Sequence, residues 1–209
     1  MASSVIHMCV ASELNKKLNR NNDMILIGSI APDIAKHLGR TKVESHFLED
    51  DEIPDLNKFL KKYQKNLKDD FVLGYYIHLY TDYIWFKYFF PDFVKEDNLY
   101  LLDGTVIKGN EELYIKYFYN DYTTLNKVLI DKYDLSLKIF ETKLSKMKNI
   151  IKEIPMNDIQ IIVDKTYNII NKSNEKKNYV FNSEKIDKFI NTCVDAIISD
   201  LEDIGYIKN

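Results

Sequence analysis

The stretch that decides the fold runs from residue 69 to residue 89 and reads DDFVLGYYIHLYTDYIWFKYF. Asp69 and Asp70 are residue types that begin helices, because their carboxylates accept hydrogen bonds from the first free backbone N–H groups. Apolar residues then recur at helical spacing, which predicts a helix over 69–89. One side of it carries Gly74, Ile77, His78, Thr81, Asp82 and Trp85. The spacing of four places His78 and Asp82 one turn apart on this interior face.

The rest of the chain also has the pattern of a helical protein. Six glycines and four prolines interrupt 209 residues, and strand alternation is hard to find. The predicted helices cover residues 4–19, 54–65, 69–89, 110–119, 123–153, 157–172 and 183–204. Loops are predicted over 30–55, 90–109 and 171–179. We therefore expect one all-α domain over 1–209, with a metal-site portion in about 1–90 and a helical scaffold in about 110–209.

Composition narrows the class of protein. The 29 basic and 32 acidic residues give a net charge of −3, so the chain has no broad basic surface and no nucleic acid is expected as a partner. Cys9 and Cys193 follow no metal-type spacing, and we expect both to be buried free thiols.

Membrane insertion is not expected either. The first residues, MASSVIHMCVA, lack the basic start of a signal peptide, and charged residues soon interrupt the apolar run, which indicates a cytoplasmic protein. The most apolar stretch, 71–93, would place four ionisable side chains at membrane depth. These are His78, Asp82, Lys87 and Asp92. The stretch therefore predicts a buried helix and no transmembrane segment.

The histidines are confined to the first part of the chain. They are His7, His37, His46 and His78, and no histidine follows residue 78. This asymmetry indicates that any chemistry lies near the N-terminus. Burial of Asp82 is costly unless the carboxylate is paired or metal-bound. A structural hydrogen bond to His78 and a metal ion shared with His78 both explain the H-x-x-x-D spacing.

Four other positions have two readings each. His7 faces the interior of the first predicted helix, either as a core histidine bonded to a carbonyl or as a metal ligand. His46 either pins a loop to the core or binds a metal. Asp33 ends the segment GSIAPD (28–33), where it caps a short helix or directs its carboxylate at the core. Gly74 allows the close approach of a ligand or of another helix.

Taken together and in this order, the motifs resemble the zinc-dependent phospholipase C family. The matching features are a histidine on an N-terminal helix (His7), G-x-I-A-P-D (28–33), S-H-F (45–47) and G-Y-x-x-H-L-x-x-D (74–82). The ordered set covers about two fifths of the chain, and its joint occurrence is far more specific than any one motif. The resemblance implies a multi-helix phospholipase C-like bundle whose metal site is built from the N-terminal half.

The resemblance also implies a ligand set. Asp33, His46, His78 and Asp82 match one metal site, and Asp82 reaches toward a second metal that His7 also binds. The implied cofactor is zinc, as one or two ions, and this mix of nitrogen and oxygen ligands also suits manganese or iron. The family holds a further zinc with histidines that follow the H-x-x-x-D motif. This chain has none there, so no third ion is expected.

The reaction implied by the resemblance is hydrolysis of a phosphodiester by a metal-bound hydroxide. The expected substrate is a small phosphodiester or a phospholipid. Asp33 is the expected catalytic residue, since it is placed to orient or deprotonate the attacking water, and no residue stands out as a general acid. The aromatic run over 75–93 either lines a pocket for an apolar leaving group or packs the core.

Two other classes of protein compete with this interpretation. An HD-type phosphohydrolase is also all-α and metal-dependent, but it needs adjacent His and Asp, and the chain has no such dipeptide. A non-catalytic helical protein, with a structural metal or a lipid or protein partner, is the alternative from a different class. His37 lies outside the matched motifs and is expected at the surface or at the mouth of the site.

Overall fold

The computed structural model describes residues 1–49, 52–141, 143–144, 147–174 and 176–207. It is 63 % helical and 4 % strand, which confirms the prediction of a broadly all-α chain. The helices are α1 (Ser4–Leu18), α2 (Asn22–Ile30), α3 (Ile34–His37), α4 (Leu56–Tyr63), α5 (Asp70–Ile84), α6 (Glu111–Lys132), α7 (Ile159–Ile170) and α8 (Ser183–Asp203). A π-helical turn, Trp85–Phe89, extends α5.

Helix α5 begins where the sequence predicts. The side chain of Asp69 accepts hydrogen bonds from the backbone N–H groups of Phe71 at 3.0 Å and Val72 at 3.3 Å. Asn182 caps α8 in the same way, because its side chain accepts from the Lys185 N–H at 3.0 Å. Each cap satisfies N–H groups that the helix itself leaves unpaired, which fixes the helix start.

Helix α2 is absent from the predicted helices. Its sequence, NDMILIGSI, is apolar on every side beyond the first turn, and residues 25–30 are all buried. A helix that is buried all round shows no amphipathic period, and nine residues are too few to separate a helix from a buried strand by pattern. The side chain of Asn21 accepts from the Met24 N–H at 3.4 Å and marks the start of α2.

Helices α2 and α5 cross at two glycines. A Cβ atom on Gly74 would lie 2.2 Å from the carbonyl oxygen of Ile25, and one on Gly28 would lie 2.2 Å from the carbonyl oxygen of Phe71. Both obstacles are backbone, so neither can move aside cheaply. Of the two readings of Gly74, helix packing is therefore the one that the structure shows. This close crossing brings the end of α2 beside His78.

The prediction of two helices over 110–119 and 123–153 is wrong. A single helix, α6, covers 111–132, and the described residues from 133 to 155 are non-helical apart from a 3₁₀ turn at Lys138–Phe140. Positions 142, 145 and 146 of the second predicted helix lie outside the described residues. Asn120 and Asp121 suggest a turn, yet α6 continues through them, because the Asp121 side chain binds a distant loop instead of its own backbone.

Two predicted loops contain regular structure. The segment 90–109 holds an antiparallel sheet of β1 (Val94–Lys95), β2 (Asn98–Tyr100) and β3 (Val106–Lys108). The β1–β2 hairpin turns at Glu96 and Asp97, both of which have positive φ, at 49° and 56°. Non-glycine residues rarely take that conformation, so the sequence gives no hairpin signal here. The segment 30–55 contains the short α3.

The aromatic residues of 75–93 mainly pack the core. Trp85 is fully buried, and its ring lies 5.2 Å from Phe189, 5.8 Å from Phe181 and 6.0 Å from Tyr122 between ring centroids. Tyr75 is fully buried too. Of the two readings of this run, packing is the one observed, and it joins α5 to α6 and α8.

Cys9 and Cys193 are buried and free. None of the helices in the described part of the chain is long and apolar enough to cross a membrane.

Candidate metal centre

Five side chains from four separate parts of the chain meet inside the molecule. His7 comes from α1, Asp33 from the 3₁₀ turn Ala31–Asp33 that follows α2, His46 from the segment before α4, and His78 and Asp82 from α5. All five are buried, and only Asp33, at 7 % exposure, exceeds 2 %. The structure thus brings together every ligand expected from the sequence.

The α2–α5 crossing orients His78. Its Nδ1 lies 2.7 Å from the carbonyl oxygen of Ser29, the residue after Gly28. A carbonyl only accepts, so Nδ1 carries a proton and donates it, and Nε2 points into the cluster. A histidine held in this way by a backbone carbonyl has its metal-binding nitrogen fixed in place.

His46 faces His78 across the cluster, with 3.1 Å between the two Nε2 atoms. On the other side of its ring, His46 Nδ1 lies 2.9 Å from Ser45 Oγ, and the Tyr75 hydroxyl holds this segment by donating to the Ser45 carbonyl. Because two lone pairs repel, the short contact requires either a proton on one of the two Nε2 atoms or a cation between the rings. A proton shared by the two Nε2 atoms would satisfy His46 and His78 but no other residue of the cluster.

Asp82 and His7 retain unsatisfied atoms that such a proton does not reach. Asp82 Oδ1 accepts from the Ala2 N–H at 3.1 Å and lies 3.3 Å from His7 Nε2 at an angle unsuitable for a hydrogen bond. Asp82 Oδ2 is 3.5 Å from His78 Nε2 and 3.7 Å from His46 Nε2. Among the described residues, Oδ2 and both His7 nitrogens have no hydrogen-bond partner. Buried polar atoms rarely remain so, and a cation would satisfy Asp82 Oδ2 together with one of the two His7 nitrogens.

Asp33 forms the edge of the cluster. Its Oδ1 accepts from the Lys42 ammonium at 2.7 Å and lies 3.6 Å from His46 Nε2. Asp33 also stands at the N-cap of α3, but its side chain makes no capping hydrogen bond there. The carboxylate is therefore directed at the cluster and Lys42, which is the second of the two readings that the sequence leaves open.

The geometry suits a metal ion. His7, Asp33 and His78 each offer a ligand atom, as do His46, His78 and Asp82, and the atoms of each group lie within 4.8 Å of one another. The two groups share His78, so the five side chains together can hold a metal ion. His37 lies outside both groups and is half-buried.

Two imidazoles of the cluster, those of His7 and His46, have lowered pKa values and are neutral at neutral pH. Burial first, and the neighbouring His78 second, lower the pKa of His46 to about 3. Burial and His78 likewise lower the pKa of His7. Neutral imidazoles are the form that binds metals, because the coordinating nitrogen must be free of its proton.

The carboxylates of the cluster are ionised. Burial by itself would raise the pKa of Asp82, but the His7 and His78 imidazoles hold it well below its usual value. For Asp33, burial is again outweighed, here by Lys42 first and by the histidines after it, and its pKa is also lowered. Two ionised carboxylates thus lie among imidazoles inside the molecule, and Lys42 is the cation beside Asp33.

Some contributors could not be recognised from sequence. Lys42 has no motif around it, and its role follows from its contact with Asp33 alone. Ser29 and Ala2 act through backbone atoms, whose positions depend on the fold and not on residue type. Only Ser29 gave a partial signal, because it lies within the GSIAPD segment.

Comparisons with known proteins identify no relative of this chain. No protein-family model, no curated protein and no solved structure matches the chain. The inference of function depends on the cluster itself.

Proposed function

We propose that this chain is a metal-dependent phosphodiester hydrolase, phospholipase C-like in fold and ligand set, acting on a small phosphodiester or a phospholipid. One observation carries the proposal. Three imidazoles and two carboxylates converge in the interior, with the His46 and His78 Nε2 atoms 3.1 Å apart and Asp82 Oδ2 without a hydrogen-bond partner among the described residues. Lone pairs gathered in this way are stabilised by a cation.

The donor set fits zinc. Imidazole nitrogen and carboxylate oxygen are common zinc ligands, although manganese or iron accepts the same mix. We propose one or two ions, held by His46, His78, Asp82 and Asp33, with His7 on the far side of Asp82. When bound, zinc lowers the pKa of a coordinated water and stabilises negative charge on a phosphoryl group.

The chain's own residues have separable roles in this proposal. Ser29 orients His78 through its carbonyl, and the Ala2 N–H positions Asp82. Asp33 is the catalytic residue. Its lowered pKa makes it a weak proton acceptor, so we assign it to orienting the attacking water. Lys42 holds the Asp33 carboxylate in place and adds a positive charge beside it.

A structural metal site is the second candidate, and one observation favours it. Four of the five ligands are 2 % exposed or less, which is typical of a closed structural site, whereas a catalytic metal keeps an open position for water. Asp33 is the one ligand that reaches an accessible surface, so an open position for water would lie beside it. The effect of substituting Asp33 therefore distinguishes the two candidates.

The test combines metal analysis with hydrolysis. Protein purified without chelators is analysed for bound metal, and hydrolysis of bis(4-nitrophenyl) phosphate is measured with and without a chelator. His78→Ala should lose both the metal and the activity. Asp33→Asn should keep at least one ion and lose most of the activity. His37→Ala, at a histidine outside the cluster, is the control for metal content and should keep the metal. Asp195→Asn, at an exposed acid, is the control for activity and should behave like wild type.

The outcomes separate the candidates. Protein that contains no metal and takes up none contradicts both of them. Protein that binds metal, while wild type and His78→Ala are equally inert on phosphodiesters, phosphomonoesters and phospholipids, supports the structural site and contradicts the hydrolase.

A further inference from the structure

A cavity of about 340 Å³ adjoins the metal centre. It lies between the N-terminal residues, α3, α6 and the end of α7. Asp33 belongs both to its lining and to the metal cluster, and the other four residues of the cluster are not among the lining residues. The volume is at the lower end of the range for small-molecule sites. A ligand in this cavity therefore meets the cluster at the Asp33 carboxylate.

One wall of the cavity is an apolar face of α6. Ile115, Phe118, Tyr119 and Tyr122 follow the spacing of three and four that places side chains on one side of a helix. Ile115 is 49 % exposed and Tyr119 is 51 % exposed, so the mouth of the cavity presents large apolar groups to solvent. Such a face suits the apolar part of a ligand.

The mouth of the cavity is basic. Its lining contains two lysines, Lys36 and Lys172, and Asp33 is the single acidic residue among the lining residues. His37 also lies in the lining, but burial lowers its pKa, so it is neutral at neutral pH. The Asp33 carboxylate is already engaged by Lys42 at 2.7 Å. The Lys36 ammonium lies over the apolar wall, where it donates to the Tyr119 hydroxyl at 2.5 Å. This local excess of positive charge contrasts with the net charge of −3 of the whole chain.

We propose that this cavity binds a phosphodiester of net negative charge that carries an apolar group, an inference that rests on the proposed function and names its substrate class. The apolar group packs on the α6 face, and the phosphodiester is directed to Asp33 and the cluster. Lys36 and Lys172 attract the negative charge and disfavour a cationic head group, because like charges at the mouth repel.

Calorimetric binding tests the charge selectivity directly. Zinc-loaded protein is titrated with dihexanoyl phosphatidylglycerol, which is anionic, and with dihexanoyl phosphatidylcholine, which is zwitterionic and has the same chains. Wild type should bind the anionic ligand about tenfold more tightly, which is the upper limit expected from two exposed lysines. A third titration, with bis(4-nitrophenyl) phosphate, separates a soluble source of this chemistry from a lipid one. If bis(4-nitrophenyl) phosphate binds as tightly as dihexanoyl phosphatidylglycerol, the ligand is a soluble phosphodiester. If it binds more weakly, the ligand is a lipid.

The variants locate the selectivity. The double variant Lys36→Glu/Lys172→Glu should lose the preference for the anionic ligand. The control Lys95→Glu/Lys108→Glu makes the same change in net charge on the exposed sheet, away from the cavity lining, and should keep it. Ile115→Ser should weaken both phospholipids about equally, because it removes apolar contact without changing charge.

Two results would overturn the inference: equal affinity of wild type for the two phospholipids, or a preference that survives in Lys36→Glu/Lys172→Glu. A zinc titration in the same calorimeter keeps this failure separate from that of the proposed function. If zinc binds and the charge preference is missing, the substrate class is wrong and the metal site stands. If zinc does not bind, the proposed function fails, and the same pair of titrations on the metal-free protein decides whether the cavity selects anions.

Discussion

Asp82 in α5 and Asp121 in α6 are both completely buried, yet their surroundings are opposite. Asp121 accepts hydrogen bonds from three consecutive backbone N–H groups, those of Tyr179, Val180 and Phe181, at 2.6–3.1 Å. Asp82 receives one backbone N–H on Oδ1, and its Oδ2 faces imidazole nitrogens with no hydrogen-bond partner among the described residues.

The difference distinguishes a carboxylate that stabilises the fold from a carboxylate that can bind a cation. A carboxylate surrounded by backbone donors is satisfied by the protein alone and ties α6 to the chain that precedes α8. A carboxylate surrounded by lone pairs is satisfied only when a cation joins it. Burial of an acid therefore says little about function until its partners are known.

The largest effect is expected from Asp121→Asn. The amide would direct N–H donors at backbone N–H donors, so the free energy of unfolding should fall by about 4 kcal/mol. Denaturant unfolding of metal-free protein measures this loss. Zinc should still stabilise the variant as it does wild type. A loss under about 1 kcal/mol would mean that the backbone bonds to Asp121 contribute little.

Gly74→Ala should have the next largest effect. The new Cβ would meet the Ile25 carbonyl at 2.2 Å, so the two helices must separate at a cost of about 3 kcal/mol. Zinc affinity should fall as well, because the crossing holds Ser29 against His78. The control is Gly39→Ala, where no atom lies within 4 Å and the positive φ of 66° costs about 1 kcal/mol. Unchanged zinc affinity in Gly74→Ala would show that the crossing does not position the site.

Lys42→Met tests the edge of the cluster. Removal of the ammonium leaves the Asp33 carboxylate without its main partner, and metal-free protein should lose about 2 kcal/mol, since the pair is only partly shielded from solvent. Zinc should restore this loss, so the rise in melting temperature on adding zinc should exceed that of wild type. A smaller rise than in wild type would contradict the assignment of Lys42 as the main partner of Asp33 in the metal-free protein.

The smallest expected effect is a dependence on pH. The pKa of His46 is about 3 in the folded protein, below its value of about 6.5 in the unfolded chain, so the unfolded chain binds more protons between these values. The stability of metal-free protein should fall by about 1 kcal/mol between pH 7 and pH 5.5, and His46→Gln should reduce that slope. Unfolding curves at the two pH values measure it, and a flat profile in wild type would contradict a buried neutral His46.

Much of the fold follows from the sequence. Helix α8 has an amphipathic period and a cap, and α5, although buried on nearly every side, is long and begins at the Asp69 cap. Helix α2 does not follow from the sequence, because it is short and buried all round and so shows no amphipathic period. The continuity of α6 depends on Asp121 binding a loop 58 residues away, which no local pattern reveals.

For the candidate site, the sequence predicts which residues take part but not what surrounds them. The types and order of His7, Asp33, His46, His78 and Asp82 are visible in the sequence, and the structure brings them together. Lys42 and the cavity mouth depend on which surfaces meet, so they required the structure. The apolar stripe on α6 can be read from its spacing, but its position beside Asp33 cannot.

A zinc titration of metal-free protein tests the central claim most directly. Wild type should take up one or two equivalents of zinc with saturation, and Asp82→Asn should lose this uptake, while the same substitution at the exposed Asp195 should leave it intact. Absence of saturable uptake by wild type, or uptake that is unchanged in Asp82→Asn, would contradict a metal centre at this cluster.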